Sequence, residues 1–178
     1  SLKMVRLSKN TIELQGCAFY ECEALTQINI PNGVVEIGPD AFLGCTALTQ
    51  IRIPDSVKII GKDAFFGCTS LTQIHIPDGI KTIERSLFSE CTALAQISIP
   101  DSVEKIENEA FSGCSALTRI SIPDNVKEIG DCAFEECAAL KKVKLPGHLK
   151  TVENETFKNC TSLGTIRIPA EVQYIGYK

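Results

Sequence analysis

The sequence predicts a stacked β-solenoid, mainly β with little helix, and three observations carry that expectation. The same order of residue types returns every 23 positions, so Phe19, Phe42, Phe65, Phe88, Phe111, Phe134 and Phe157 mark seven copies without an insertion or deletion. A fixed period between about 20 and 50 residues marks a repeat array in which each unit leans only on its neighbours. Within each copy, Leu25-Thr-Gln-Ile-Asn-Ile30 or its equivalent alternates apolar with polar residues, the period-two pattern of a half-buried strand. A proline then follows directly, at Pro31, Pro54, Pro77, Pro100, Pro123, Pro146 and Pro169. Proline cannot serve a hydrogen-bond ladder on both sides, so the strand ends there in every coil.

Taken in order, Leu2, Val5, Leu7 and Leu14 hold the register of Leu25, Ile28, Ile30 and Ile37, so the chain enters in mid-coil. This first coil departs from the pattern, with Ser8 where later copies have proline and Thr11 where they have an aliphatic residue. After the strand, Asn32-Gly33 and Asp78-Gly79 supply turn chemistry. A second short extended segment, Val34 to Ile37 and its equivalents, precedes Gly38, Gly61, Gly130 or Gly176, with Glu in other copies. Ala41-Phe42 and Cys45 then bring the chain round too briefly for more than a helical turn. The expected architecture is one stacked parallel sheet plus short second strands, in a rod of roughly 35 Å. Ala41, Phe42, Cys45, Leu48, Ile51, Ile53, Val57 and Ile60 face inward, with counterparts 23 residues either way. Burying each large apolar side chain is worth roughly 1.5–3 kcal/mol before entropy is subtracted. The chain ends before the next Ala-Phe is due and neither end shows a polar capping coil, so residues 1–178 are expected to be a single repeat domain from a longer protein.

Composition narrows the function classes. Eighteen Lys and Arg against 22 Asp and Glu give a net charge of −4, with none of the overall basic character of a nucleic-acid binder. No apolar run approaches the roughly 20 residues needed to span a bilayer, so no membrane insertion is expected. Seven of the nine cysteines, Cys22, Cys45, Cys68, Cys91, Cys114, Cys137 and Cys160, share one repeat position. Stacking holds equivalent side chains parallel at about 4.8 Å, whereas a disulfide needs sulfurs converging to about 2 Å. These cysteines are expected to act as small buried hydrophobes with free thiols. Cys17 and Cys132 fall in a column with Asp40, Asp63, Ser86, Glu109 and Glu155, which predicts exposure and, again, free thiols.

The outward strand positions form two columns. One runs Gln27, Gln50, Gln73, Gln96, Arg119, Lys142, Thr165; the other runs Asn29, Arg52, His75, Ser98, Ser121, Lys144, Arg167. The second changes most from coil to coil while its neighbours stay fixed, as a recognition surface on a constant scaffold would. The candidate binding residues are therefore Asn29, Arg52, His75, Arg119, Lys142, Lys144 and Arg167. Toward the C-terminus Arg119, Lys141, Lys142, Lys144, Lys150 and Arg167, with His148, make the face locally basic, suited to an acidic partner or a sulfated glycan. A charged edge that discourages strand-to-strand aggregation is the competing explanation.

The glutamine run is expected to stack amides along the axis. Asp55, Asp78, Asp101 and Asp124 place one carboxylate per coil, too dispersed for calcium's six to eight converging oxygens, and are expected to cap turns. No metal or cofactor is anticipated. Nor is catalysis: His75 and His148 lie in different columns three coils apart, and the repeat places no nucleophile or carboxylate to orient either. Asn154-Glu-Thr156 and Asn159-Cys-Thr161 fit the N-glycosylation sequon, a motif short enough to arise by chance.

The pattern Cys-x-x-Leu-x-x-Ile-x-Ile-Pro-x-x-Val-x-x-Ile-Gly-x-x-Ala-Phe resembles the 23-residue Treponema-type, or BspA-like, class of leucine-rich repeats over essentially the whole chain. The resemblance implies a right-handed leucine-rich-repeat solenoid with a parallel sheet on one face. It also implies a surface-exposed or secreted protein of host-associated bacteria or parasitic protists, in a family known for adhesion to extracellular-matrix proteins and for co-aggregation. Together these observations predict a non-enzymatic interaction or adhesion module that presents its sheet face to a protein or glycan. The alternative is a structural spacer or self-association module whose coils stack end to end.

Overall fold

The computed structural model describes residues 2–177, and among these the chain forms short strands and turns without an α-helix. The strands are Met4–Arg6 (β1), Glu13–Leu14 (β2), Gln27–Asn29 (β3), Glu36–Ile37 (β4), Gln50–Ile51 (β5), Ile59–Ile60 (β6) and Gln73–Ile74 (β7), followed by Thr82–Ile83 (β8), Lys105–Ile106 (β9), Arg119–Ser121 (β10), Glu128–Ile129 (β11), Lys142–Lys144 (β12), Thr151–Val152 (β13) and Tyr174–Ile175 (β14). Every pairing is parallel and joins residues 23 apart, as in Gln50 with Gln73 and Ile106 with Ile129. β2-β4-β6, β8-β9-β11 and β13-β14 form the second face.

The front sheet is interrupted rather than continuous. It consists of the pairs β1-β3, β5-β7 and β10-β12, with single bridges between Asn29 and Arg52 and between His75 and Ser98. The coil containing Gln96 and Ile97 contributes no front strand. Thr26 and Thr72 donate their hydroxyls to the carbonyls of Lys3 and Thr49 one coil back, at 3.0 and 3.3 Å. Ala95 stands in that column without a hydroxyl, and the amide of Thr118 reaches its carbonyl only at 3.4 Å. Ile97 is half-buried, as is Val143, where Ile28, Ile51, Ile74 and Ile120 are buried.

The third side of each coil, expected as a simple turn, carries its own axial ladder. Asp40, Phe42 and Gly44 donate their amides to Lys62, Ala64 and Phe66 in the next coil at 2.8–3.0 Å. The amides of Leu43 and Cys45 instead close tight turns onto Asp40 and Phe42. Two left-handed residues per coil make this alternation possible: Asp40 at φ 57° and Gly44 at φ 70°, with Asp63 and Gly67, Glu109 and Gly113, and Cys132 and Glu136 as counterparts. A left-handed side-chain-bearing residue costs about 1–2 kcal/mol, which is why glycine occupies the second position in three coils.

The predicted core is observed. Ala41, Phe42, Cys45, Leu48, Ile51, Ile53, Val57 and Ile60 are all buried, and so are their counterparts through the central coils except the half-buried Ile97 and Val143. Phenylalanine rings stack along the axis with centroids 5.3–5.8 Å apart and planes within 19° of parallel. That spacing lies in the favourable range for offset stacking, worth about 0.5–1.5 kcal/mol per pair beyond burial. In the outermost coils Phe19 and Phe157 are only partly buried.

Three details differ from expectation. The ladder cysteines are free and buried, yet they are more than apolar filler. Each Sγ of Cys45, Cys68, Cys91, Cys114, Cys137 and Cys160 lies 3.1–3.2 Å from the carbonyl oxygen of the phenylalanine 26 residues earlier, the geometry of a thiol donor. The Cys17 column is not uniformly exposed: Cys17 is, but Cys132 is half-buried and Ser86 buried, although all three share the left-handed conformation. The aspartates after proline do not cap their own turns. The proline carbonyl closes each one, as Pro54 does with the amide of Val57 at 3.0 Å, while Asp124 accepts the amide of Gly147 one coil on. Threonine hydroxyls also bond backwards along the axis, as Thr46 does to Glu23 and Thr92 to Thr69.

Relief of left-handed strain is measurable. Glu136 is exposed and sits at φ 59°. Glu136→Gly is expected to stabilise the fold by up to about 1 kcal/mol in urea denaturation, net of the extra freedom glycine gives the unfolded chain. A loss of stability would contradict the strain argument.

Alkaline pH should unfold the array steeply. Burial pushes the Cys45 and Cys91 thiols up to about 12 from an ordinary 9.0, and it raises Cys68, Cys114 and Cys137 as well. Folded thiols then stay protonated while unfolded ones ionise, so stability is full below pH 9 and falls as pH climbs toward the folded values. Each buried thiol contributes about 1.4 kcal/mol per pH unit to that slope. Denaturation midpoints between pH 8 and 11 should show it, and Cys68→Ala with Cys114→Ala should flatten the slope. An unchanged slope in the double variant would contradict the assignment.

Candidate binding groove on the sheet face

Side chains alternate along each front strand, so the residue that fills the core is flanked by two that face solvent. Ile28 is buried between exposed Gln27 and Asn29, and Ile120 between exposed Arg119 and Ser121. Stacking these strands builds a shallow groove in two stretches. The first, of about 630 Å³, is lined by Arg6, Gln27, Asn29, Gln50, Arg52 and His75, with Ile28, Ile51 and Ile74 between them turned into the core. The second, of about 1030 Å³, is lined by Arg119, Ser121, Lys142, Lys144 and Arg167 over the partly exposed Ile97, Val143 and Ile166, with Ile120 turned into the core. Gln73 and Ile74 border both, so the stretches join along one face.

All seven candidate residues line this face: Asn29, Arg52 and His75 in the first stretch, and Arg119, Lys142, Lys144 and Arg167 in the second. Arg6 belongs with them and was overlooked in the sequence, although it lies 23 residues before Asn29 and pairs with it in β1-β3. The partial exposure of Ile97, Val143 and Ile166 was overlooked too, because period-two patterning marks these residues simply as core.

The basic patch divides once its partners are visible. Glu171 takes up both Lys150 and His148, the latter at 3.4 Å, and lies outside the groove. Those two contacts hold the Glu171 carboxyl below its usual range, Lys150 contributing more. Lys144 pairs with Asp124 at 3.7 Å, and His75 Nε2 lies 4.0 Å from Asp55. Among the described residues, Arg6, Arg52, Arg119, Lys142 and Arg167 make no ion pair. The expected amide stack is absent: Gln27, Gln50, Gln73 and Gln96 are exposed, and the one glutamine side-chain bond among the described residues joins Gln15 to Glu13.

Elsewhere six cations, Lys81, Arg85, Lys105, Lys127, Lys150 and Lys158, are paired with carboxylates of the solenoid's own surface. Glu104 receives Lys81 at 3.2 Å and Lys127 at 2.8 Å, and Lys105 sits 3.0 Å from both Glu107 and Glu128. Cys132, Glu135 and Glu155 converge closely enough to suggest a metal site. Lys158 already fills that position, 2.9 Å from Glu135 and 2.7 Å from Glu155, and both carboxylates raise its pKa. Burial and Glu135 push the Cys132 thiol up to about 11, the opposite of activation for metal binding or nucleophilic attack. His75 and His148 remain apart, each beside a single carboxylate. What the front face offers a partner is a row of exposed cations, amides and hydroxyls.

Comparison with known proteins agrees with this geometry. The sequence profile of the BspA type leucine rich repeat region matches in six copies over residues 1–102 and 81–178. Among solved structures, a leucine-rich repeat protein of T. pallidum aligns over 97% of this chain and 72% of its own, with 31% identity and a TM-score of 0.64. A leucine-rich cell surface protein of Faecalibacterium prausnitzii aligns over 98% of this chain and 77% of its own, with 21% identity and a TM-score of 0.50, a likeness of fold alone. A comparison with curated protein sequences found no match. No helix among the described residues is long and apolar enough to cross a membrane. With the repeat, the three-sided coil and the profile match in agreement along its whole length, the chain belongs to the BspA-type leucine-rich repeat family.

Proposed function

We propose that this chain is a non-enzymatic adhesion module, one domain of a longer surface or secreted protein, that binds its partner through the groove on the front sheet. The observation that carries this reading is the division of labour among columns. Inward positions repeat nearly the same apolar residues and the edges repeat the same hydrogen bonds, while Asn29, Arg52, His75, Ser98, Ser121, Lys144 and Arg167 differ from coil to coil on one exposed face. Nothing in the core or the axial ladders depends on their identity. They are free to be chosen for a ligand.

A parallel sheet built this way is rigid, so little conformational entropy is lost when a partner docks. The family's protein-interaction character supports the reading, as does the surface location given for the F. prausnitzii relative. An extracellular-matrix protein is the partner class that the family resemblance suggests.

Replacing Arg52, His75, Lys144 and Arg167 together with Ser is expected to leave the denaturation midpoint within about 1 kcal/mol of the parent, since exposed positions contribute little. The same variant should lose at least tenfold in affinity for whichever of a panel of immobilised matrix proteins the parent binds, measured by surface plasmon resonance. Unchanged affinity would remove the front face from consideration.

A further inference from the structure

We infer that the ligand of the groove is an acidic polypeptide segment in extended form, held mainly by the stretch from Gln73 to Arg167. This rests on the groove being the binding face and adds the chemistry of what it takes.

The first support is a segregation of charge. The chain carries 22 acidic and 18 basic residues, yet neither stretch of the groove is lined by a single Asp or Glu. Its charged residues are Arg6, Arg52, Arg119, Lys142, Lys144 and Arg167, all cationic. Away from the groove, six cations among the described residues are matched by carboxylates, as Glu104 matches Lys81 and Lys127, although Lys3, Lys9, Lys58, Lys62 and Lys141 are not. Within it, Arg119, Lys142 and Arg167 have no such partner among the described residues.

The second support is a cost that the fold retains. Arg119 and Lys142 are direct register partners on β10 and β12. Like charges opposite one another on adjacent strands are destabilising. A glutamine pair, as at Gln50 and Gln73, would remove the repulsion. Anions of a bound ligand would remove it as well, and would gain from a field left unneutralised in the free protein.

The third support selects polypeptide over polysaccharide. The aliphatic side chains that reach the surface beneath the cations are Ile97, Val143 and Ile166, each partly exposed, while Ile74 and Ile120 point into the core. A sugar chain laid there would set hydroxyls against carbon with no partner, at a desolvation cost. A peptide alternating acidic with apolar side chains would meet both surfaces, burying its apolar groups on those side chains and placing its carboxylates among the cations. Four coil steps of about 4.8 Å separate Gln73 from Thr165, a span of roughly 19 Å that an extended chain covers with about six residues.

The test uses three labelled probes in fluorescence anisotropy. One is a synthetic peptide of about eight residues alternating Glu with Leu or Val, long enough to span the second stretch. Another is the same peptide with Gln for every Glu, and the third is a heparin-derived hexasaccharide. The Glu peptide should bind at least tenfold more tightly than the Gln peptide, with affinity falling as salt rises. Arg119→Glu with Lys142→Glu and Arg167→Glu should weaken it about tenfold or more. A triple Gln variant at the same positions, free of new repulsions, should weaken it in the same direction while keeping the parent's denaturation midpoint. Equal binding of the Glu and Gln peptides, preference for the hexasaccharide, failure of the Glu peptide to bind, or indifference to both triple variants would each overturn the proposal. If the Glu peptide fails while matrix-protein binding still depends on Arg52, His75, Lys144 and Arg167, the groove keeps its role and only the acidic polypeptide is rejected. If neither is seen, both readings fall.

Discussion

Axial backbone hydrogen bonding at a fixed offset governs everything else in this molecule. On two faces the strands pair residues 23 apart, and on the third the amides of Asp40, Phe42 and Gly44 reach carbonyls 22 residues on. Three ladders sharing one coil length cannot be adjusted separately. A single inserted residue in one coil would turn every following side chain of a strand to the opposite face and break the third ladder at the same point. The invariant spacing of the phenylalanines is the sequence-level trace of this locking. Their stacking at 5.3–5.8 Å follows the coil spacing. The thiols complete the arrangement, each satisfying a second lone pair on a phenylalanine carbonyl that already accepts an amide.

That locking is also what leaves the groove free. Because the core columns and the three ladders hold each coil in place, the outward residues of the front strands carry no structural duty, and their charges need not be balanced for the fold to form. The contrast with the rest of the surface is physical: Glu104, Glu128, Glu155 and Glu171 neutralise cations on other sides of the coil, while Arg119 and Lys142 face each other unneutralised. Exposed ion pairs of this kind are individually weak, so their distribution speaks to recognition more than to stability.

Much of the fold was legible because it is periodic. The Ile-x-Ile-Pro pattern located the front strands, the phenylalanines fixed the coil length, and the inward columns were identified residue by residue. What escaped was conformation rather than burial. Asp40, Asp63, Glu109 and Glu155 look like ordinary surface acids, and only Gly44, Gly67 and Gly113 in the companion column hint at left-handed backbone. The gap in the front sheet escaped because Leu94 to Ile99 keeps the same apolar and polar alternation as the coils that do form strands. Aspartate after proline suggested turn capping, but a proline carbonyl already closed each turn. Of the candidate site, the sequence alone located the lining residues. It could not show that Lys150 and His148 are drawn away by Glu171, or that Arg119 and Lys142 stand opposed, because both depend on neighbouring coils in space.

The equal length of the three ladders bears on how such a chain can vary over generations. Deleting or adding part of a coil breaks all three sides, whereas duplicating or excising one whole coil at the gene level rejoins each ladder to an equivalent neighbour and leaves the aromatic column unbroken. Reach and ligand preference can thus change by shuffling complete units, each bringing its own pair of outward residues. Recombination between near-identical copies becomes a source of new surfaces rather than of misfolded chains.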